Sequence, residues 1–317
     1  MSDNRNLCKA QSVKNDEFYT CFEDIQPELQ HYKTYLKNKV IYCNCDNPYE
    51  SNFVKYFILN FNSLKLKKLI ATCYAKSCIK EKLSIHQKPY KLELEQLNDN
   101  EDFDNIIKNN PPSLLTGDGD FHSDECVNLL KQADIIVTNP PFSLFREYIS
   151  QLLDYNKMFI IIGHVIKLAY RKIFKLIADN KLWLGSGRNN SSKLFKIPDE
   201  FVDEYNSKYK KIPIRWYTNI KLKRGYNDLI LSKHYTSEKY PKYDSYDAIE
   251  VSKVADIPCD FAGVMGVPIT FLDKYNPEQF EILELRNSDK YKTPLCINGK
   301  EVFVRILIKN KHPLGIY

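Results

Sequence analysis

The sequence predicts an α/β fold with a largely parallel sheet, followed by a C-terminal region of different texture. Three observations carry this. Short apolar blocks alternate with stretches of helical spacing, one strand-like block ends abruptly at two consecutive prolines, and the composition changes after about Ala178.

Val40 to Cys43, Lys68 to Cys73, Ile135 to Thr138 and Met158 to Ile162 are each a short apolar block, as strands buried on both faces are. Between them, Val54 to Phe61, Phe142 to Leu153 and Lys167 to Ile177 repeat apolar residues at helical spacing. Strands alternating with helices imply crossover units, and crossovers imply parallel pairing. The polar stretch Ser77 to Pro112 lacks strong periodicity and reads as a surface insertion. Gly185 to Ser192 is a loop signal, and beyond Tyr217 come Tyr-Lys clusters and scattered prolines. The expected domains are therefore 1–220 and 221–317.

Composition sets outer limits. At 317 residues and 43% hydrophobic, the chain is long enough for one large core and a smaller unit. The formal charge of +6 is compatible with a polyanionic partner without requiring one. Nine cysteines are scattered without a repeated C-x-x-C pair, and the six histidines complete no zinc set, so reduced thiols and no metal are expected. Met1 to Lys14 has no apolar core of a signal peptide, and no apolar run approaches the roughly 18 residues that span a bilayer. A cytoplasmic protein with no membrane partner is expected.

The candidate site begins where the third strand stops. Asn139-Pro140-Pro141-Phe142 follows Ile135 to Thr138 directly. Neither proline has an N–H, so neither extends a ladder, and each pushes its predecessor to extended geometry. What remains is a ledge of acceptors, the Asn139 side-chain oxygen and the Pro140 carbonyl, with Phe142 expected to stand exposed beside them. An aryl amine is a poor nucleophile because its lone pair is delocalised into the ring. Two acceptors holding its two hydrogens favour a pyramidal nitrogen, and an aromatic face fixes the ring, which suits methylation of adenine N6. A strand end followed by an ordinary Pro-Pro turn reads the four residues equally well.

The surrounding text decides between them by resemblance. Asp16 to Thr20, Tyr42 to Pro48, Gly117 to Phe121, Thr138 to Tyr148, Trp183 to Gly185, Trp216 to Asn219, Tyr240 to Asp244 and Gly263 to Phe271 together resemble the EcoRI-type DNA adenine methyltransferases. The resemblance runs from about residue 16 to 310. It implies an S-adenosylmethionine-dependent, Rossmann-like methyltransferase sheet over 1–220 and a target-recognition region over 221–317. It further implies N6 methylation of a flipped-out adenine in a specific duplex site, GAATTC being the suggested sequence. A bacterial or phage-encoded monomer is expected, with a companion restriction endonuclease acting separately.

Carried over residue by residue, Asn139, Pro140 and Phe142 are the expected catalytic residues. Asn139, Pro141, Phe142 and Trp216 would hold the target base. Phe18, Tyr19 and Thr20 match the segment that closes over the methionine part of the cofactor, and Asn44, Asp46 and Pro48 match the cofactor turn. Asp118 is a candidate acceptor for the cofactor's adenine amine, with Phe121 packing on that ring. For Trp216 and for Phe145, one helical turn beyond Phe142, core packing stays open as an alternative. Two departures from the wider methyltransferase pattern stand out. The turn Cys43 to Pro48 has no glycine, although a backbone approaching a cofactor closely usually needs one. Thr72, Cys73 and Tyr74 stand where an acid often binds ribose. Lys221, Lys223, Arg224, Lys233, His234, Lys239 and Lys242 give the C-terminal region a basic surface suited to phosphates, and the Gly185 to Ser192 loop is a second candidate for DNA contact. The same amine chemistry on RNA or a protein amide, and a DNA-binding protein with a degenerate cofactor pocket, are the competing readings.

Overall fold

The computed structural model describes residues 19–74, 89–98, 101–186, 193–196, 209–222, 228–286 and 295–315. Contacts divide the chain into two compact units, Met1–Val165 with Arg188–Leu222, and Ile166–Gly187 with Lys223–Tyr317. The segment from Ile166 to Gly187 thus belongs with the second unit, although its sequence lies inside the expected first domain.

The strands of the first unit are β1 (Tyr19–Thr20), β2 (Val40–Cys43), β3 (Lys68–Thr72), β4 (Tyr90–Leu94), β5 (Ser113–Leu114), β6 (Ile135–Thr138) and β7 (Met158–His164). After β8 (Trp183–Leu184) of the second unit come β9 (Lys193–Lys196), β10 (Tyr209–Ile212) and β11 (Ile214–Thr218) of the first. Within the first unit the main sheet runs β5-β4-β3-β2-β6-β7-β11. Its centre, β3-β2-β6-β7, is parallel, as the apolar blocks predict. The flanks are antiparallel, with β4 on β3, β5 on β4 and β11 on β7.

Buried residues cover both faces of that centre. One face carries Ile41, Cys43, Leu69, Ala71, Ile135, Val137, Ile160 and Ile162, packed with Ile25, Leu29, Phe53 and Phe57. The intervening residues Tyr42, Ile70, Ile136 and Phe159 point the other way and are equally buried. Among the described residues, the α-helices of this unit are α1 (Phe22–Leu29), α2 (Lys33–Leu36), α3 (Asn52–Leu59), α4 (Phe61–Leu64), α5 (Phe103–Asn109), α6 (Asp124–Gln132) and α7 (Phe145–Asp154), and α8 (Arg171–Ala178) belongs to the second unit. Side-chain caps start three of them, Ser51 on α3, Asp102 on α5 and Ser123 on α6, each accepting from N–H groups of the first turn.

Two expectations change. The stretch Ser77 to Pro112 is not merely a surface insertion: Tyr90, Leu92 and Leu94 of β4 and Ile106 and Ile107 of α5 are buried in the core, while 75–88 lies outside the described residues. The helix expected from Phe142 begins as a 3-10 turn, Phe142–Leu144, and becomes α-helical at Phe145.

In the second unit, β12 (Ala248–Glu250), β13 (Val264–Pro268), β14 (Phe280–Arg286) and β17 (Arg305–Asn310) form a sheet ordered β12-β13-β17-β14. β15 (Cys296–Ile297) and β16 (Lys300–Glu301) make a hairpin whose two turn residues, Asn298 at φ 50° and Gly299 at φ 71°, both have the left-handed backbone that a tight hairpin favours. The carboxylate of Asp244 accepts from both of their N–H groups, at 3.0 and 2.8 Å. Inside the sheet, buried Glu250 takes a two-pronged bond from Arg305, 3.0 Å from Nε and 2.6 Å from Nη2, and another from the Tyr243 hydroxyl. Gly266 leaves the space that Tyr243 fills.

Candidate active site

After β2 the chain moves outward to β3 on one side and later returns to β6 on the other side of β2. The carboxyl ends of β2 and β6 therefore flank a topological switch point, where open parallel sheets hold their ligands. The turn Asn44 to Ser51 leaves one of these ends, and Asn139 to Leu144 leaves the other.

Side-chain bonds join the two turns. Asp46, 6% exposed, accepts from the Ser51 hydroxyl at 2.6 Å through one carboxylate oxygen and from the Thr138 hydroxyl through the other. The backbone N–H of Asn139 donates to the same carboxyl. Thr138 Oγ1 in turn accepts from the backbone N–H of Cys45 at 3.2 Å. Ser51 also caps α3, so one short polar chain links the turn after β2, the helix after it and the residue that opens the Pro-Pro ledge. Burial raises the Asp46 carboxyl to about 6, and the three donors oppose that rise without cancelling it.

A second group of polar residues rings the same turn. Asn44 Oδ1 accepts from the Tyr148 hydroxyl, and the Asn44 carbonyl accepts from Thr72 Oγ1 at 3.2 Å, with Tyr42 bonded to Thr72 at 3.0 Å. Asn47 Oδ1 accepts from the Tyr90 hydroxyl at 2.8 Å and from the Tyr49 N–H at 3.0 Å. Asn52, at the start of α3, donates to the Thr20 carbonyl at 2.8 Å and so brings β1 to this corner. Three polar atoms here, Asn44 Nδ2, Asn47 Nδ2 and Thr20 Oγ1, are buried and have no hydrogen-bond partner among the described residues. Buried donors left unsatisfied are destabilising unless a ligand meets them, so the corner fits a bound molecule bearing hydroxyls or a carboxylate.

The Gly117 to Phe121 turn lies against the end of β3. Gly119 has φ 78°, and a side chain there would collide with the Cys73 carbonyl and sit 2.9 Å from Pro89 Cβ. Asp118 is exposed and accepts from the Asp120 N–H at 2.9 Å. Asp120 bonds His122, which holds its carboxyl below the usual range. Phe121 is buried edge-on to Tyr148, with ring centres 5.0 Å apart, and its carbonyl takes a bond from Gln151 at 2.9 Å.

On the ledge itself, Asn139 is half-buried with its side-chain oxygen enclosed, and Pro140 is buried. Phe142 is 7% exposed, edge-on to His164, rather than the open aromatic expected from its position after the prolines. The cause is the 3-10 turn, closed by Leu144 N–H to the Pro141 carbonyl at 3.1 Å, which folds the ring back towards the sheet.

Comparison with known proteins fits this geometry. The family described as adenine-specific methyltransferase EcoRI matches residues 6–311. The chain belongs to this EcoRI methylase family. It is 46% identical to the Type II methyltransferase M.EcoRI of Escherichia coli, over 97% of each chain. It is 38% identical to M.MpnI of Mycoplasma pneumoniae over 96% of this chain and 97% of that one. With M.MgeORF184P of Mycoplasma genitalium the identity is 36%, over 96% and 98%. No solved structure matches the chain significantly.

As a member of the EcoRI methylase family, the chain brings most of its expected site residues to one end of the sheet. Asn44, Asp46, Pro48 and Thr20 gather at the turn after β2, and Asn139 to Phe142 at the neighbouring strand end. Both Asp46 oxygens already bond protein groups, which gives this residue a framework position rather than an open one. Phe18 lies outside the described residues, as do 187–192 of the loop expected to reach DNA; Tyr19 is placed by its backbone alone. Trp216, 8% exposed in β11, meets Phe53 edge-on at 5.8 Å, so its ring is part of the core. Phe145 is likewise fully buried, against Gly163 and Tyr217.

Thr138, Ser51, Asn47 and Tyr148 were not picked out by sequence reasoning. Only Ser51 carried a local signal, a hydroxyl residue just before an apolar helical run. The structure also gathers one set of potential metal ligands among the described residues, His234, Cys259 and Asp260, with donor atoms within 4.8 Å. The Asp260 carboxylate there is bonded to His234 at 2.9 Å and to the Tyr235 N–H at 2.8 Å. Among the described residues, no helix is long and apolar enough to cross a membrane.

Proposed function

We propose that this chain transfers a methyl group from S-adenosylmethionine to N6 of an adenine flipped out of a specific site in duplex DNA. One observation carries the reading: in a member of an adenine-specific methyltransferase family, Asn139-Pro140-Pro141-Phe142 stands beside a polar corner with unsatisfied buried groups, at the switch point of a parallel sheet.

Asn44, Asn47 and Thr20 are the residues whose polar atoms would hold the methyl donor. When bound, S-adenosylmethionine supplies an electrophilic methyl group on a sulfonium. The protein's own part is to present the amine. N6 points into the major groove of a stacked pair, so the base must leave the helix, at a cost of a few kcal/mol. Acceptance of its two hydrogens by Asn139 Oδ1 and the Pro140 carbonyl draws the nitrogen out of conjugation and aims its lone pair. Stacking on Phe142, of the order of 1–3 kcal/mol, offsets the unstacking. Because Phe142 is buried, stacking requires the short 142–144 turn to open, and a single 3-10 turn is a small element to displace.

We assign target recognition to the region from about 221 onward, where Lys233, His234, Lys239 and Lys242 are exposed; Lys223 and Arg224 lie outside the described residues. GAATTC, methylated at the inner adenine, is the proposed site, on the strength of 46% identity to M.EcoRI. A monomer acting in the cytoplasm, with a nuclease working separately, completes the proposal.

The test is transfer of tritiated methyl groups to duplex DNA, RNA and protein in parallel, with N6-methyladenine positions mapped in the DNA. Label in DNA alone is expected, with Asn139→Ala slower by about 10²–10³-fold, the usual effect of deleting one positioned hydrogen-bonding group. A folded protein that labels RNA or protein instead overturns the reading.

A further inference from the structure

We infer that Asp46 and Thr138 form a positioning clamp that sets the backbone of Asn139 from the cofactor turn, rather than contacting the cofactor themselves. The inference rests on the proposed role of Asn139.

Asp46 sits three residues beyond β2, and Thr138 is the last residue of β6, so each leaves its strand at the switch point. The two residues are 92 positions apart in sequence, and their bond is buried. Asp46 receives the Thr138 hydroxyl and the Asn139 N–H together, so one carboxylate restrains both residues at the end of β6. Pro140 confines Asn139 to extended geometry from the other direction. The backbone from which the Asn139 side chain projects is thereby held by groups assigned no contact with a reactant. The clamp is also closed on the turn side, because Thr138 accepts from the Cys45 N–H and Asp46 from the Ser51 hydroxyl. This accounts for a cofactor turn without glycine: its course is fixed by side-chain bonds to the neighbouring strand rather than by a close backbone turn. Movement of Asn44 to Ser51 would be felt at Asn139 through two rigid bonds.

The variants are Asp46→Asn, which keeps the volume but replaces one acceptor by donors, Thr138→Val, which removes the hydroxyl, and Thr138→Ser, which keeps it. With tritiated S-adenosylmethionine and adenine-unmethylated genomic DNA, Asp46→Asn and Thr138→Val are expected to lower kcat at least 30-fold, with KM for either substrate within threefold. Thr138→Ser should recover most of the loss seen in Thr138→Val. The double variant should be little worse than either single one, since both break one device. Unchanged kcat in folded Thr138→Val, or a serine variant as slow as the valine one, overturns the clamp. A change confined to KM for S-adenosylmethionine overturns it too, in favour of direct cofactor contact. Should Asp46→Asn fail to fold, the valine and serine pair still decides. Asn139→Ala separates the two proposals: if it keeps full activity, the catalytic reading fails, whereas a clamp failure leaves Asn139→Ala slowed as above and Thr138→Val at wild-type rate.

Discussion

Asp46 holds a carboxyl in a buried place where the three donors that reach it, a serine hydroxyl, a threonine hydroxyl and a backbone N–H, are all uncharged. Uncharged donors reduce the burial penalty on an anion but do not abolish it, so the carboxyl moves up from 3.8 to about 6. The sign of the consequence for stability is opposite to that of a salt-bridged aspartate. Between pH 4 and 6 the folded chain binds a proton that the unfolded chain has lost, so stability falls as pH rises through this window. At about 1.4 kcal/mol per unit, the shift corresponds to on the order of 3 kcal/mol, present in full below pH 4 and absent above 6. Urea unfolding of wild type and Asp46→Asn at pH 4, 5, 6 and 7 should show the wild type losing stability relative to the variant across that range. Parallel curves would mean that the carboxyl titrates at its ordinary value. Neutral Asn44 and Asn47 on either side of Asp46 contribute no titration of their own in this range.

The turn from Gly117 to Phe121 tests the same site at the level of an element. Its two glycines are alike in sequence and unlike in place. Gly119 has φ 78° and no room for a Cβ beside the Cys73 carbonyl, whereas at Gly117 the nearest atom to such a Cβ is Ser123 Cβ at 3.8 Å. Gly119→Ala should therefore destabilise by about 1–3 kcal/mol or more through strain and collision, and Gly117→Ala by less than about 0.5 kcal/mol, read from thermal unfolding. Equal effects would show that the turn does not rest on the end of β3. Elements of this kind also set what could be seen beforehand. β2, β3, β6 and β7 were legible because each is apolar on both faces. β4 was not, because Lys91 and Glu93 alternate with its buried residues and it lies in a polar stretch, where a salt bridge from Lys68 of β3 to Glu93, at 2.6 Å, crosses between the two strands. The Pro-Pro ledge announced itself in four residues. The clamp beneath it did not, because Asp46 and Thr138 become neighbours only once β2 and β6 pair.

At the scale of the whole molecule, the formal charge of +6 matters less than how it is distributed. In the first unit, Lys68 is paired with Glu93 and Glu95 at 2.6 and 3.2 Å, so its charge is locally cancelled. In the second unit Lys233 and Lys239 are exposed, with Lys239 lying over the Tyr240 ring at 5.2 Å, while Lys242 shares its charge with Asp247 at 3.3 Å. A lysine that neutralises a phosphate releases a counterion, and affinity then falls with salt by close to one power of concentration per contact. On the proposed role of the second unit, Lys233→Ala and Lys239→Ala should each weaken duplex binding by a similar factor on every sequence and flatten the salt dependence by about one contact. Lys68→Ala should leave both affinity and slope as they were. The measurement is fluorescence anisotropy of labelled duplexes between about 50 and 200 mM salt, with and without the proposed GAATTC site, a range over which several phosphate contacts change affinity by orders of magnitude. A loss confined to the GAATTC duplex would make these lysines readers of bases, and an unchanged slope would move the phosphate contacts away from them.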